Sequence, residues 1–271
     1  SQVGVHLKLL EEFYMSTLGA LKKLSADDLK MIADAEAMLG PEPSDMGLIK
    51  NMFWGRLRSE VAFPYPRETE AERAKADKLL DELNAYLENE HPSVWIDQNE
   101  EVPTWALDKL FEMGVMAMTI PEEYGGLGLG VTSYNRALQA IGSRCASTAV
   151  IVSAHQSIGC KAIMLFGDED QKRNWLPKVG REFLSAFCLS EPNVGCDAGG
   201  QETECRLSDD GTHYILNGEK KWITSGALAV LFTFMARQNY VEHKSGEQRE
   251  GITALICTPD MPGIDVYEKN R

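Results

Sequence analysis

The sequence is short of positive charge: 27 Lys and Arg stand against 41 Asp and Glu in 271 residues, a formal net charge of -14. The pI is near 4.9. Sequence-independent binding to nucleic acid needs clustered basic side chains to neutralise phosphates, so this balance excludes it and leaves small molecules and proteins as partners. Cysteine is sparse too. The six thiols, at 145, 160, 188, 196, 205 and 257, have neither CxxC pairs nor the density of a disulfide scaffold, so they read as reduced residues of a reducing compartment with no metal site. The opening SQVGVHLKLL lacks a charged segment followed by a long apolar run, and apolar stretches elsewhere fall short of a membrane span, which reads as a soluble chain.

What is present is an ordinary globular composition, 44% hydrophobic and 25% charged, with length enough for two domains. The first half has helical periodicity. Leu10, Tyr14, Leu18 and Leu21 share a face, and Ser25 with Asp28 starts a second helix that stops at Gly40-Pro41, so a helical hairpin opens the chain. Phe63-Pro64-Tyr65-Pro66 reads as an extended spacer. A third helix puts Leu79, Leu83 and Leu87 on one stripe. Pro103 suits the first turn of a short helix around Trp105 and Leu110 that ends at Gly114. The loop IPEEYGGLGLG precedes two helices, over 132–144 and 147–166, and Asp168 caps a last one before Pro177.

The period changes after residue 182. HYILNGEKKWIT alternates on either side of Asn217-Gly218, a strong hairpin signal, and LAVLFTFMAR and GITALICT are further strand candidates. The expected class is therefore α+β and multidomain: a helical extension over 1–45, an all-α domain over 46–182 and an antiparallel, barrel- or sandwich-like β domain over 183–271. FCLSEPNVGCDAGG, residues 187–200, ends the first strand of that β domain. Its glycines at 195, 199 and 200 let backbone approach a ligand closely, but it matches neither GxGxxG nor GxxxxGK[ST], so a Rossmann or P-loop reading has little support. On the expected hairpin, Trp222 and Thr224 are two residues apart and share a strand face, an indole and a hydroxyl able to flank an aromatic cofactor. A plain loop and a core or edge-strand tryptophan are the simpler alternatives.

FCLSEPNVGCDAGG followed by LNGEKKWITSG resembles the flavin-binding signature of the acyl-CoA dehydrogenase family. IPEEYGGLGLG, AHQSIGCKAIMLFG and QKRNWLPK are similar to the family in the same order, and FWGRLRSEVAFPYP and AHQSIG are most similar to its very-long-chain branch and that branch's complex I assembly relative. Residues 1–45 carry no such resemblance. The resemblance implies FAD held in extended form, with Phe187, Cys188, Leu189 and Ser190 along the isoalloxazine ring. Trp222, Ile223 and Thr224 would stand beside it. Cys196 takes the place of a serine that touches the FAD pyrophosphate or the acyl-CoA; a thiol is the weaker donor, which puts that contact in doubt. Val194 also replaces a small residue and would crowd the loop. Ala149 and Ser153, at i and i+4 on one helix, match positions that close the acyl cavity in medium-chain relatives; both are small here, which favours a long acyl chain, although close helix packing selects small residues as well.

The reaction so implied is α,β-dehydrogenation of an acyl-CoA thioester. A glutamate takes the α proton, the β hydrogen leaves as hydride to the flavin, and hydrogen bonds to the thioester carbonyl stabilise the developing charge. Electrons pass to an electron-transferring flavoprotein, for which Glu268 matches an acidic docking position. In the long-chain branch the catalytic glutamate lies in a C-terminal helical bundle. This chain stops at DVYEKNR, so the base is expected C-terminal to Arg271, and the chain alone is expected to bind FAD weakly and not turn over. His155, in a helix, and His213, opening a strand, read as packing or surface residues rather than substitutes. The resemblance further implies a homodimer or homotetramer and a cytoplasmic or mitochondrial matrix setting, with membrane association left open. Two other readings stay open: an acyl-CoA oxidase, and a non-enzymatic scaffold of the complex I assembly type that docks through the N-terminal hairpin. Ser190, Trp222 and Thr224 favour an enzyme, while Cys196 keeps the scaffold in play.

Overall fold

The computed structural model describes residues 25, 47–53, 55–65, 67–241 and 246–267. The hairpin expected over 1–45 and the docking position Glu268 lie outside the described residues. The chain divides into two units, Ser1–Pro66 and Arg67–Arg271. In the first, helix α1 (Leu48–Phe53) buries Asn51, whose Nδ2 donates to Gly47 O at 3.3 Å, and a 3₁₀ turn follows at Ser59–Val61. The Phe63–Pro64 bond is cis and residues 63 and 64 bend, where the sequence suggests an extended spacer.

The second unit opens with α2 (Glu70–Asn89). Thr69 caps it by accepting from Glu72 N–H at 3.1 Å, and Glu70 and Glu72 complement the helix dipole. The expected leucine stripe is buried, joined by Ala76 and Tyr86 on the same face. Helices α3 (Ser93–Asn99) and α4 (Thr104–Glu112) follow; Pro103 is the residue before α4 rather than in its first turn, and Gly114, at φ 78°, closes it. After α5 (Val131–Gly142), α6 (Ala146–Ala154) runs through a π turn (His155–Cys160) into α7 (Lys161–Phe166). The rod from Ala146 to Phe166 is long and apolar enough to cross a membrane by length and composition, which the sequence reading does not expect. Thr148, Val152, His155, Gln156, Cys160 and Ile163 are buried along one side of it, while Val150, Ile158, Leu165 and Phe166 are exposed. Asp168 and Gln171 form a full capping box for α8 (Glu169–Val179), which continues through Pro177, since a proline in the last turn removes a single helical hydrogen bond.

The β part has strands β1 (Ser185–Cys188), β2 (Glu204–Leu207), β3 (Tyr214–Asn217), β4 (Leu231–Val241) and β5 (Gln248–Cys257). The expected order, helices and then strands, holds; the sheet is mixed rather than antiparallel throughout. β4 is its spine. One edge pairs antiparallel with β5 from Phe232 to Val241, and the other takes β1 in parallel at Leu231–Phe234 and β2 in parallel at Arg237. β1 is buried on both sides by the helices and the sheet: Leu184, Ala186, Cys188 and Phe232 share one core with Leu83, Leu110, Ile141 and Val152. At about 1.5–3 kcal/mol for each fully buried large apolar side chain, that shared core fixes β1 against the helices.

The hairpin expected at Asn217-Gly218 does not form. β3 pairs backwards with β2, Glu204 opposite Asn217 and Leu207 opposite Tyr214, and the turn is Ser208–His213. Asp210-Gly211 is as good a turn former as Asn-Gly: Gly211 sits at φ 71°, and Asp210 Oδ1 accepts from Ser208 Oγ at 2.6 Å and Thr212 N–H at 3.1 Å. Gly218 serves close approach instead. At φ 155° it lies on Thr203, where a Cβ would come within 2.6 Å of Thr203 Cα. Residues 218–228 then run outside any strand, as irregular chain to Ile223 and turns over 224–228, so Trp222 and Thr224 do not share a strand face.

Candidate functional site

Because β1 and β2 lie end to end on one edge of β4, residues 189–203 are an excursion that leaves that edge and returns to it. Glu191-Pro192-Asn193-Val194 turns the chain, with Glu191 N–H donating to Val194 O at 2.9 Å and Val194 N–H to Glu191 O at 3.2 Å. Val194, the last residue of this turn, is buried. The Glu191 carboxylate points to the returning chain: Oε2 accepts from Glu202 N–H at 2.6 Å and Oε1 from Thr203 N–H at 3.0 Å. Lys220 completes the closure. Its ammonium donates to Glu191 Oε1 at 2.7 Å, Gln201 Oε1 at 2.9 Å and Leu189 O at 3.1 Å, which uses all three of its protons. The two charged side chains are 4% and 1% exposed. Burial by itself raises the Glu191 pKa, but the Lys220 ammonium and the N–H groups of Glu202 and Thr203 outweigh it and hold the carboxyl at about 2. Lys221 N–H also donates to Ser190 O at 2.8 Å.

These bonds bring the two sequence motifs together on one wall of a cleft of about 1860 Å³. Cys188, Trp222, Ile223 and Thr224 line it, opposite Val150 and Ile151 of α6 and beside Phe232 and Leu255 of the sheet. Trp222 is 66% exposed, its indole capped by Lys221 Nζ at 5.0 Å from the ring centroid. Its φ of 61° and that of Ser225, 63°, lie in the left-handed region, where bulky residues are outliers. The Ser225 hydroxyl is buried in the cleft wall without a hydrogen-bond partner. Burial pushes the Cys188 thiol up to about 12, so it lines the cleft as a protonated, unreactive group.

The other residues singled out in the sequence fall elsewhere. Phe187, Leu189 and Ser190 adjoin the wall without lining it, and Cys196 is exposed on the excursion. Ala149 and Ser153 face α5: the Ala149 methyl is 3.7 Å from where a Gly142 Cβ would stand, and Ser153 Oγ accepts from Tyr134 Oη at 3.2 Å. His213 is exposed at the cleft and stands 2.9 Å from Thr212 Oγ1. His155 is fully buried in the π turn, where Nδ1 accepts from Ser185 N–H at 3.0 Å and Nε2 lies 3.6 Å from Cys160 Sγ. Glu191, Gln201 and Lys220 escaped the sequence reading, since an acid in a proline turn and a lysine 29 positions later look like any two surface charges. No cluster of three His, Cys, Asp or Glu side chains able to hold a metal occurs among the described residues.

Two family models match the chain: "Acyl-CoA dehydrogenase, N-terminal domain" over residues 69–182 and "Acyl-CoA dehydrogenase, middle domain" over 186–271. The chain belongs to the acyl-CoA dehydrogenase family. Among relatives in that family, the probable acyl-CoA dehydrogenase FadE10 of Mycobacterium tuberculosis is 36% identical over 223 residues, covering 82% of this chain and 34% of FadE10. The human mitochondrial very long-chain specific acyl-CoA dehydrogenase is 36% identical over 215 residues, 79% of this chain and 33% of the human protein. An acyl-CoA dehydrogenase from Bacillus anthracis, crystallised in complex with FAD, is similar with a TM-score of 0.64 and 32% identity, over 75% of this chain and 33% of that one. The chain thus spans about a third of the length of the curated acyl-CoA dehydrogenases it matches.

Proposed function

We propose that this chain forms the flavin-binding part of an FAD-dependent dehydrogenase that introduces an α,β double bond into long-chain acyl-CoA thioesters in fatty acid β-oxidation. The observation that carries the reading is the cleft wall on which Cys188 meets Trp222, Ile223 and Thr224. Its chemistry suits a large, flat heteroaromatic ligand with a polar edge: an exposed indole for stacking, an unpartnered buried hydroxyl at Ser225, and apolar faces from α6 and the sheet. FAD, when bound, supplies the hydride acceptor. Phe187, Cys188, Leu189 and Ser190 would offer the strand end to the ring, and Trp222, Ile223 and Thr224 would cover it. Cys196 stands where a donor would reach the pyrophosphate or the acyl-CoA, with a weaker hydrogen bond than serine gives.

Neither histidine singled out in the sequence suits the role of base. His213 stands in solvent on the β2–β3 turn, and His155 is sealed in the core; the general base is proposed to be the glutamate that the family carries in its C-terminal helical bundle. Length selection is proposed at Ala149 and Ser153, whose small side chains pack against α5 and would have to part from it to admit a long acyl chain; similarity to very long-chain relatives supports a long-chain preference. The reading extends to an electron-transferring flavoprotein as acceptor, with Glu268 in its docking surface, to a homodimer or homotetramer, and to a cytoplasmic or mitochondrial matrix setting.

The deciding experiment is an anaerobic titration of the native protein with palmitoyl-CoA and with octanoyl-CoA, following flavin absorbance in the visible. Bleaching by palmitoyl-CoA at the lower concentration is expected. A protein that carries no flavin, or whose flavin neither thioester reduces, would move the reading to the non-enzymatic scaffold.

A further inference from the structure

We infer that Lys220 and Glu191 form a positioning node that holds the two segments of the proposed flavin wall in register; the flavin part of this inference rests on the reading above. The wall is made of residues that no strand pairing joins. β1 ends at Cys188, and residues 218–223 run as irregular chain before the turns of 224–228. Between them stand the Lys221 N–H to Ser190 O bond and the Lys220 ammonium, which reaches Leu189 O, Glu191 and Gln201 together. Glu191 in turn binds the N–H groups of Glu202 and Thr203, so one carboxylate and one ammonium tie three main-chain groups, Leu189 O and those two N–H groups, and join three stretches of chain. Gly218, packed on Thr203 with no space for a Cβ, brings Lys220 within reach of this point.

The residue types follow from the task. The groups that converge here are a main-chain carbonyl, a side-chain amide oxygen and a carboxylate, all acceptors, so the centre has to be a donor with three protons in a small volume. An ammonium meets that need, whereas a planar guanidinium directs its five protons in a wider fork. Its charge, 4% exposed, needs a partner, and Glu191 is placed to neutralise it. A buried pair of this kind adds little net stability over an apolar plug of equal volume, so its use here is geometric. It fixes where Leu189 and Ser190 point and where Trp222 begins. Neither residue is expected to touch the reacting atoms; both act through the backbone they hold.

The test compares the wild-type chain with Lys220→Met and with the double variant Glu191→Gln/Lys220→Met, by amide hydrogen exchange and by FAD titration. Lys220→Met leaves an uncompensated buried carboxylate and is expected to lower overall stability. The double variant removes both charges and is expected to melt near wild type, which keeps the test open if the single variant fails to fold. In the double variant, exchange in residues 188–191 and 220–226 should still rise at least about tenfold while α2 and α5 stay unchanged, and FAD affinity should fall about tenfold or more. Unchanged local exchange in a folded double variant would overturn the node. So would a double variant that binds FAD as tightly as wild type, which would reduce the pair to charge compensation. If exchange rises as expected but the native wild-type protein, with whatever sequence it carries beyond these residues, takes up no FAD, the node stands and the flavin reading falls.

Discussion

At the scale of single residues, the groups that decide most are polar and buried. His155 is enclosed by Ser185, Cys160 and Phe111, with no carboxylate in contact, and its Nδ1 must stay an acceptor for Ser185 N–H. Burial pushes its pKa down to about 4. An unfolded histidine titrates near 6.5, so between about 6.5 and about 4 the unfolded chain binds more protons than the folded one. The resulting stability is complete above the unfolded value and is lost as the pH falls toward the folded one, by roughly 3 kcal/mol across that window. His91, lowered by burial as well, adds in the same direction. Urea unfolding midpoints should therefore drop between pH 7 and pH 4.5, and His155→Asn, which retains an acceptor, should flatten that slope; an unchanged slope in the variant would remove His155 as the cause. Ser225 is the opposite case, a left-handed residue whose buried hydroxyl has no partner. Ser225→Gly relieves both costs and should raise the melting temperature by a few degrees, for a gain of about 1 kcal/mol. If the hydroxyl serves the flavin as proposed, the same variant should bind FAD more weakly.

At the scale of elements, the contact between the π turn and β1 sets the position of the strand that carries the site. Gly159 makes it possible: a Cβ there would come within 2.1 Å of Ser185 Oγ and 2.9 Å of its Cβ. Gly159→Ala should cost about 1–3 kcal/mol, as overpacking in a dense core does, and should weaken FAD binding by displacing β1. Loss of thermal stability with unchanged FAD affinity would show that the strand end tolerates the shift. The sequence makes some of this architecture plain and hides the rest. Leu79, Leu83 and Leu87 announce the buried face of α2, because helical spacing is local information. Asp168 and Gln171 announce a cap for the same reason. The β part is less legible. Asn217-Gly218 and Asp210-Gly211 are equivalent turn signals, and only the folded packing of Gly218 on Thr203 tells them apart. Parallel pairing of β1 and β2 with the same edge of β4 is likewise a long-range outcome. The site follows the same rule: the two motifs could be read, but the buried pair of Glu191 and Lys220 that joins them could not, since burial is what distinguishes them from surface charges.

At the scale of the whole molecule, the excess of acid competes with the ion pairs that the acids make. Lys75 with Glu122, Arg144 with Glu88 and Arg237 with Glu204 are exposed pairs, of little net worth and screened by salt. Against them stands a net charge of -14, whose self-repulsion destabilises the compact state and is screened by the same salt. Each exposed pair contributes little, whereas the repulsion acts across the whole excess, so screening should on balance help. Raising NaCl from about 10 mM to about 200 mM shortens the Debye length from about 30 Å to below about 8 Å, and the melting temperature should rise. The proposed ligands, FAD and acyl-CoA, are themselves anions, so the same field opposes their approach. Their association rates, followed by stopped-flow flavin fluorescence for FAD, should increase with salt, the reverse of the usual behaviour for a charged ligand steered to its site. A rate that falls with salt would place a locally positive field at the cleft mouth, with Lys221 beside Trp222 as its first candidate source.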